Sequence, residues 1–223
     1  MSLQKFNNKL SIKKKVELKL WHKLLFLSPI FIIVLLFKGN EWYRNYMLSN
    51  YGKETIAKIT FVSLTGVHDQ FEINNVAFNF KYFDSVITGF TIAETNDNYV
   101  LLPNDMALLV DDEYIVKYVE DNPDINEVNF LKPTVNTLIN YIKITSDTLI
   151  KLKYFENSIL QKNRCFNLAK LIYFKFGTNG LATIIFWNES VAENFKHNSI
   201  TFRKFISNKE FKEMIEKCKK LKK

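Results

Sequence analysis

Between Leu24 and Phe37 the chain reads LLFLSPIFIIVLLF, fourteen residues with no charge and with Ser28 as the one polar side chain. Such a run suits a bilayer, a buried core or a cleaved export signal. Alone it is shorter than the ~20 residues a bilayer core asks of a helix. Leu18, Leu20 and Trp21 precede it, and Gly39, Trp42, Tyr43 and Tyr46 follow it. Trp21 and Trp42 fit the two headgroup levels, where aromatic rings collect, and Lys23 can snorkel outward along its own stem. A core helix of this length is a poor neighbour for the seven lysines of residues 1–23. A signal peptide needs a small-x-small exit, and Lys38-Gly39-Asn40-Glu41-Trp42 offers none. Pro29 is tolerable near one interface. The expectation is a single-pass signal anchor: a cytoplasmic basic tail over 1–17, a transmembrane helix over 18–43, and Trp21, Lys23, Trp42 and Tyr43 at the membrane interfaces.

Lysine asymmetry sets the expected orientation. Seven lysines precede the run, whereas residues 38–54 hold Lys38, Arg44 and Lys53. The positive-inside rule then puts the N-terminus in the cytoplasm and the bulk of the chain outside it, at a cell membrane of the bacterial inner-membrane type. The charge balance is uneven: +6 over residues 1–23, −8 over 24–133 and +10 over 134–223. Opposed fields favour docking of the two outer parts on each other, or of one copy on the next; solvated surfaces explain the same charges.

After Tyr51 the hydrophobic period becomes two. Thr55–Val62 is β-branched, Asn74–Tyr82 alternates Val76, Phe78, Phe80 and Tyr82 against Asn79 and Lys81, and Val86–Ala93 follows. Met106–Val110 and Tyr114–Val119 flank an acidic turn, Asp111-Asp112-Glu113. Strands so closely spaced leave no room for crossover helices, which points to a small antiparallel β domain over 51–133, barrel-like or a curled sheet. Pro133 marks its end.

Gly52-Lys53-Glu54-Thr55-Ile56-Ala57-Lys58-Ile59 resembles the opening strand of a family of bacterial membrane-anchored small β-domain proteins of unknown function. Tyr114-Ile115-Val116-Lys117-Tyr118-Val119-Glu120-Asp121-Asn122-Pro123 resembles that family's exit strand, and Asp124–Val128 its following segment. The resemblance covers roughly residues 51–131. Where the family carries a glycine before the exit strand, Asp112-Glu113 stands here. The resemblance implies an anchor and a β fold, and no activity.

Residues 134–223 read as an α+β domain with a central β-hairpin and a C-terminal helix. Thr134 can cap a helix carrying Val135, Leu138, Ile139 and Ile142. Ile150, Leu152 and Tyr154 alternate as a strand. Leu168–Phe176 and Leu181–Trp187 are apolar runs joined by Gly177-Thr178-Asn179-Gly180, the hairpin. Ile200, Phe202 and Phe205 suggest one more strand. Ser207 or Asn208 caps a helix carrying Phe211, Met214, Ile215, Cys218 and Leu221, with lysines at its C-terminus, where they suit the dipole.

Chemistry is sparse. His22, His68 and His197 have no metal-ligand spacing, and neither Cys165 nor Cys218 lies in C-x-x-C. The two cysteines can pair on an oxidising side or stay as buried thiols. Gly177-x-x-Gly180 lacks the Lys-Ser/Thr of a phosphate loop, and Ser190 lacks the glycines of a nucleophile elbow. Asn188-Glu189-Ser190 is a formal glycosylation sequon. No catalytic residue, cofactor or metal site is assigned. The partners expected are the lipid bilayer and a protein partner or a second copy, with no nucleic acid. The surfaces offered are Asp111, Asp112 and Glu113 on the acidic turn and Lys217, Lys219 and Lys220 on the last helix. The function expected is a single-pass protein presenting non-catalytic interaction modules, as scaffold, regulator or toxin neutraliser of the envelope. Two alternatives stay open: an anchored hydrolase whose site sequence does not show, and a C-terminal-inside protein whose basic helix meets inner-leaflet lipid.

Overall fold

The computed structural model describes residues 20–64, 74–95, 98–155, 160–189 and 196–220. The basic tail, His68, Ser190 and Leu221 lie outside the described residues. The chain divides into two compact units, Met1–Tyr46 and Met47–Lys223. Helix α1 (Leu20–Tyr51) has 32 residues and contains Pro29.

Among the described residues no helix is long and apolar enough to cross a membrane. This corrects the expected transmembrane, single-pass signal anchor over 18–43. The reason lies downstream of the charge-free run. The helix does not end near Trp42, where a span would leave the bilayer. It continues through Lys38, Asn40, Glu41, Arg44 and Asn45 to Tyr51. The flank needed to lengthen the run is polar helix, and Lys38 and Glu41 pair on it at 2.8 Å, both exposed.

The second unit begins with a five-stranded antiparallel sheet in the order β3-β2-β1-β4-β5. Its strands are β1 (Gly52–Val62), β2 (Val76–Tyr82), β3 (Ser85–Thr91), β4 (Glu113–Val119) and β5 (Asn122–Pro133). Alternation sends Ala57, Ile59, Phe78, Phe80, Tyr114, Val116 and Val128 inward, where all are buried. The residues between them form outward rungs, Lys58 opposite Glu113 and Glu54 opposite Lys117 opposite Glu127. Opposite charges on neighbouring strands keep that face stable in water. Register breaks at Ile59/Phe61, Tyr114/Ile115 and Tyr118/Val119 add twist and curl the sheet into a half-barrel. At one end the Tyr82 hydroxyl donates to Glu120 O at 2.7 Å. Gly89 permits the same closure: a Cβ there falls 2.4 Å from the Phe78 ring and 2.7 Å from Asn126 Oδ1.

The strand expected over Met106–Val110 does not form. Residues 98–109 make an irregular ribbon, held by isolated bridges from Thr95 to Val100 and from Leu101 to Ala107. The Asn75 side chain fixes its approach, donating to Ala93 O and accepting from Ala93 N, both at 2.8 Å. The ribbon is apolar on two sides. Val100, Leu102 and Leu108 join the core of the sheet, while Tyr99, Leu101, Met106 and Ala107 join the core of the helices. It lies between the two cores of the second unit and contributes side chains to each.

The helices are α2 (Val135–Lys151), α3 (Gln161–Ile185), α4 (Ser199–Ser207) and α5 (Lys209–Lys219). Thr134 caps α2 as expected, accepting from Thr137 N. Its buried stripe, however, is Thr137, Tyr141, Ile142, Thr145, Ser146 and Leu149, and Val135 is exposed. The expected strand over 150–154 is instead the end of α2, its cap Leu152 and a turn through Lys153 at φ 55. The expected hairpin is instead α3. Its buried residues Cys165, Leu168, Ala169 and Ile172 follow helical spacing, and Gly177, at φ 64 and ψ −156, breaks the helix. Apolar Leu171, Tyr173, Phe174 and Phe176 lie off that stripe, so the sequence shows no period to separate strand from helix. The expected strand over 200–205 is α4, started by a reciprocal capping box between Asn198 and Thr201. Helix α5 is as expected, capped by Asn208 and burying Phe211, Met214 and Cys218. The α+β class and the curled sheet therefore stand, without the hairpin domain.

Candidate functional site

The three acidic side chains of the turn each hold partners within the chain. Asp111 pairs with Lys58 at 2.8 Å. Asp112 is 3% exposed and accepts from Leu109 N at 3.1 Å. Burial pushes its carboxyl up to about 6, against the bond from Leu109. Glu113 holds the start of α2. Its carboxylate accepts from Thr134 Oγ1 (3.1 Å) and Asn136 Nδ2 (3.0 Å), and its backbone exchanges two bonds with Thr137 Oγ1. Lys219 pairs with Glu216 at 2.8 Å, and Lys217 and Lys220 are exposed on and just after α5. Among the described residues no ion pair joins the acidic turn to α5. Trp42 and Tyr43 are exposed on α1. Trp21 and Lys23 lie in the same helix, but their side chains are outside the described residues.

The chain does gather a polar group that sequence reasoning missed. Asp105 stands at φ 66, left-handed for a non-glycine residue. Its Oδ2 accepts from Asn179 Nδ2 (2.8 Å) and Lys196 Nζ (3.0 Å), and its Oδ1 lies 3.6 Å from Nε2 of buried His197. The Thr183 hydroxyl donates to Asn179 O at 2.9 Å and meets His197 Nδ1 at 3.0 Å. Burial raises the Asp105 carboxyl, but bonds from Lys196 and Asn179 and the nearby His197 outweigh it and hold it below the ordinary value. Burial lowers His197, against the pull of Asp105. Asn104 anchors the same turn, donating to Phe130 O at 3.1 Å and accepting from Met106 N at 3.0 Å.

Beside this group runs an open groove of about 820 Å³. Pro103, Leu131, Pro133, Leu138, Tyr173 and Phe174 supply its apolar walls, and Asp105 and Gly177 stand along it. Phe174 is 80% exposed and Leu131 64%. Lys132 on its rim pairs with Glu54 at 3.0 Å.

The Thr183–His197–Asp105 order has the parts of a nucleophile–base–acid chain. Its geometry is that of a clasp. Thr183 is 6% exposed, its proton goes to a backbone carbonyl, and the group ties the 103–105 turn to α3 and to residues 196–197. Among the described residues no three His, Cys, Asp or Glu side chains are placed to hold a metal ion. Cys165 and Cys218 are free and fully buried, and burial pushes both thiols up to about 11. The spacing of Asn179 and Thr183 is helical, but only the tertiary fold brings Asp105 and His197 to them. No protein-family model matches the chain, and no curated protein and no solved structure matches it either.

Proposed function

We propose that the chain is a non-catalytic interaction module that seats an apolar segment of a protein partner in the groove beside Asp105. What supports this reading is the exposure of Phe174 and Leu131 on the walls of one concavity. Apolar surface left in water forgoes roughly 25 cal/mol per Å², which an entrant recovers by covering it. Asp105 and Lys132 already hold ion pairs, so the groove favours an entrant by apolar contact rather than charge. Its size suits a few side chains rather than a flat interface.

The hydrolase reading has one observation in its favour, the Thr183–His197–Asp105 order. Against it stand the burial of Thr183 and the commitment of its hydroxyl.

The test is site-specific photo-crosslinking in the native host, with the reactive side chain placed at residue 174, at 131, or at Thr60 on the outer sheet face. The same adduct from 174 and 131, absent from 60, is expected. Equal adducts from all three positions, or hydrolytic turnover abolished by His197→Gln, would overturn the proposal.

A further inference from the structure

A second cavity, of about 910 Å³, lies where α2 ends, α3 begins and α5 ends. Lys153, Arg164 and Lys219 line it, with Tyr154, Phe155 and Gln161. No acidic side chain is among these described lining residues. The charge of Lys219 is shared with Glu216, but among the described residues neither Lys153 nor Arg164 forms an ion pair. Arg164 donates from Nη2 to Lys219 O at 3.1 Å. Its Nε is buried and makes no hydrogen bond. Arg164 is itself a lining residue of the cavity, and planar oxyanion recognition is a guanidinium's characteristic use. The start of α3 adds to this, because Gln161 and Arg164 of its first turn line the cavity, where the positive end of a helix dipole favours an anion. Tyr154 and Phe155 provide an apolar wall, Tyr154 stacked edge-on against Phe211 at 5.5 Å.

We propose that this cavity binds the phosphate group of a small organic ligand, Arg164 and Lys153 taking the oxyanion and Tyr154 and Phe155 the body. The ligand chemistry is a phosphate monoester. It is supplied either by a free small molecule or by a lipid headgroup.

The test titrates the full chain with inorganic phosphate and phenyl phosphate by calorimetry, and with vesicles of phosphatidylcholine carrying phosphatidic acid by co-sedimentation. Arg164→Gln and Lys153→Gln are run alongside, each checked for native circular dichroism. Lys153 is exposed, so its variant keeps the test valid if the Arg164 variant fails to fold. Saturable binding of phenyl phosphate, tighter than inorganic phosphate and weakened tenfold or more by Arg164→Gln and severalfold by Lys153→Gln, is the expected result. Vesicle binding that the two variants reduce, with no binding of free phosphate, supports the same site and identifies a headgroup as the source. No saturable binding of any probe, or binding that neither variant changes, overturns the proposal.

Discussion

Gly177→Ala separates a broken α3 from a straight one by sign. Gly177 lies at φ 64 and ψ −156, a region essentially reserved for glycine, where another residue costs about 1–3 kcal/mol. A Cβ built there meets nothing within 4 Å. The substitution therefore carries no clash, and its whole effect is conformational. In a helix running straight through residue 177, the same change would stabilise by about 1 kcal/mol. Urea unfolding of the full chain, followed by circular dichroism, reads the difference. For a unit of this size about 1 kcal/mol moves Tm by about 2–4 °C. The expected result is a lower urea midpoint at unchanged slope, with Tm down by several degrees. A midpoint that rises would refute the break, and with it the placement of Asn179 against Asp105.

Asp112 should give stability an unusual pH dependence. Its folded value of about 6 lies above its ordinary 3.8, so between these two pH values the folded state holds a proton that the unfolded state has released. Its contribution is complete below pH 3.8 and lost by about pH 6, a fall of about 3 kcal/mol that Asp112→Asn should remove from a pH series of urea midpoints. His197 and Asp105 act in the opposite sense, because both are lowered by folding. His197→Gln should flatten the loss of stability as pH falls below 6.5, and Asp105→Asn the loss at lower pH, each read by Tm against pH. The two thiols should be inert to a water-soluble disulfide reagent at pH 8 in the folded chain and fully reactive in urea, because both are buried and raised to about 11.

What could be read from the sequence was what local pattern decides. Asn79 and Lys81 between Phe78, Phe80 and Tyr82 fixed β2 and its faces, and Thr134 and Asn208 announced α2 and α5 together with the apolar spacing that follows each cap. The run 168–187 hides its helical period because apolar Leu171, Tyr173, Phe174 and Phe176 lie off the buried stripe, leaving Gly177 and Gly180 to suggest a turn. The ribbon was misread for a different reason. Its run of apolar residues looks like a strand, yet its partners are two cores rather than two strands. The anchor expectation failed on the polar residues after Phe37, which were read as an exit and instead continue the helix. The clasp could not be read from the sequence, since Asp105, Asn179, Thr183 and His197 meet only through the tertiary fold.

The most direct measurement of the central claim is the affinity of the partner captured at the groove for Phe174→Asp and Leu131→Asp, set beside their melting temperatures. Both side chains are largely exposed, so Tm should stay within about 2 °C of the parent. Affinity should fall by about tenfold or more in each variant, as expected when a charge is set into an apolar contact. Affinity unchanged in two well-folded variants would contradict the account.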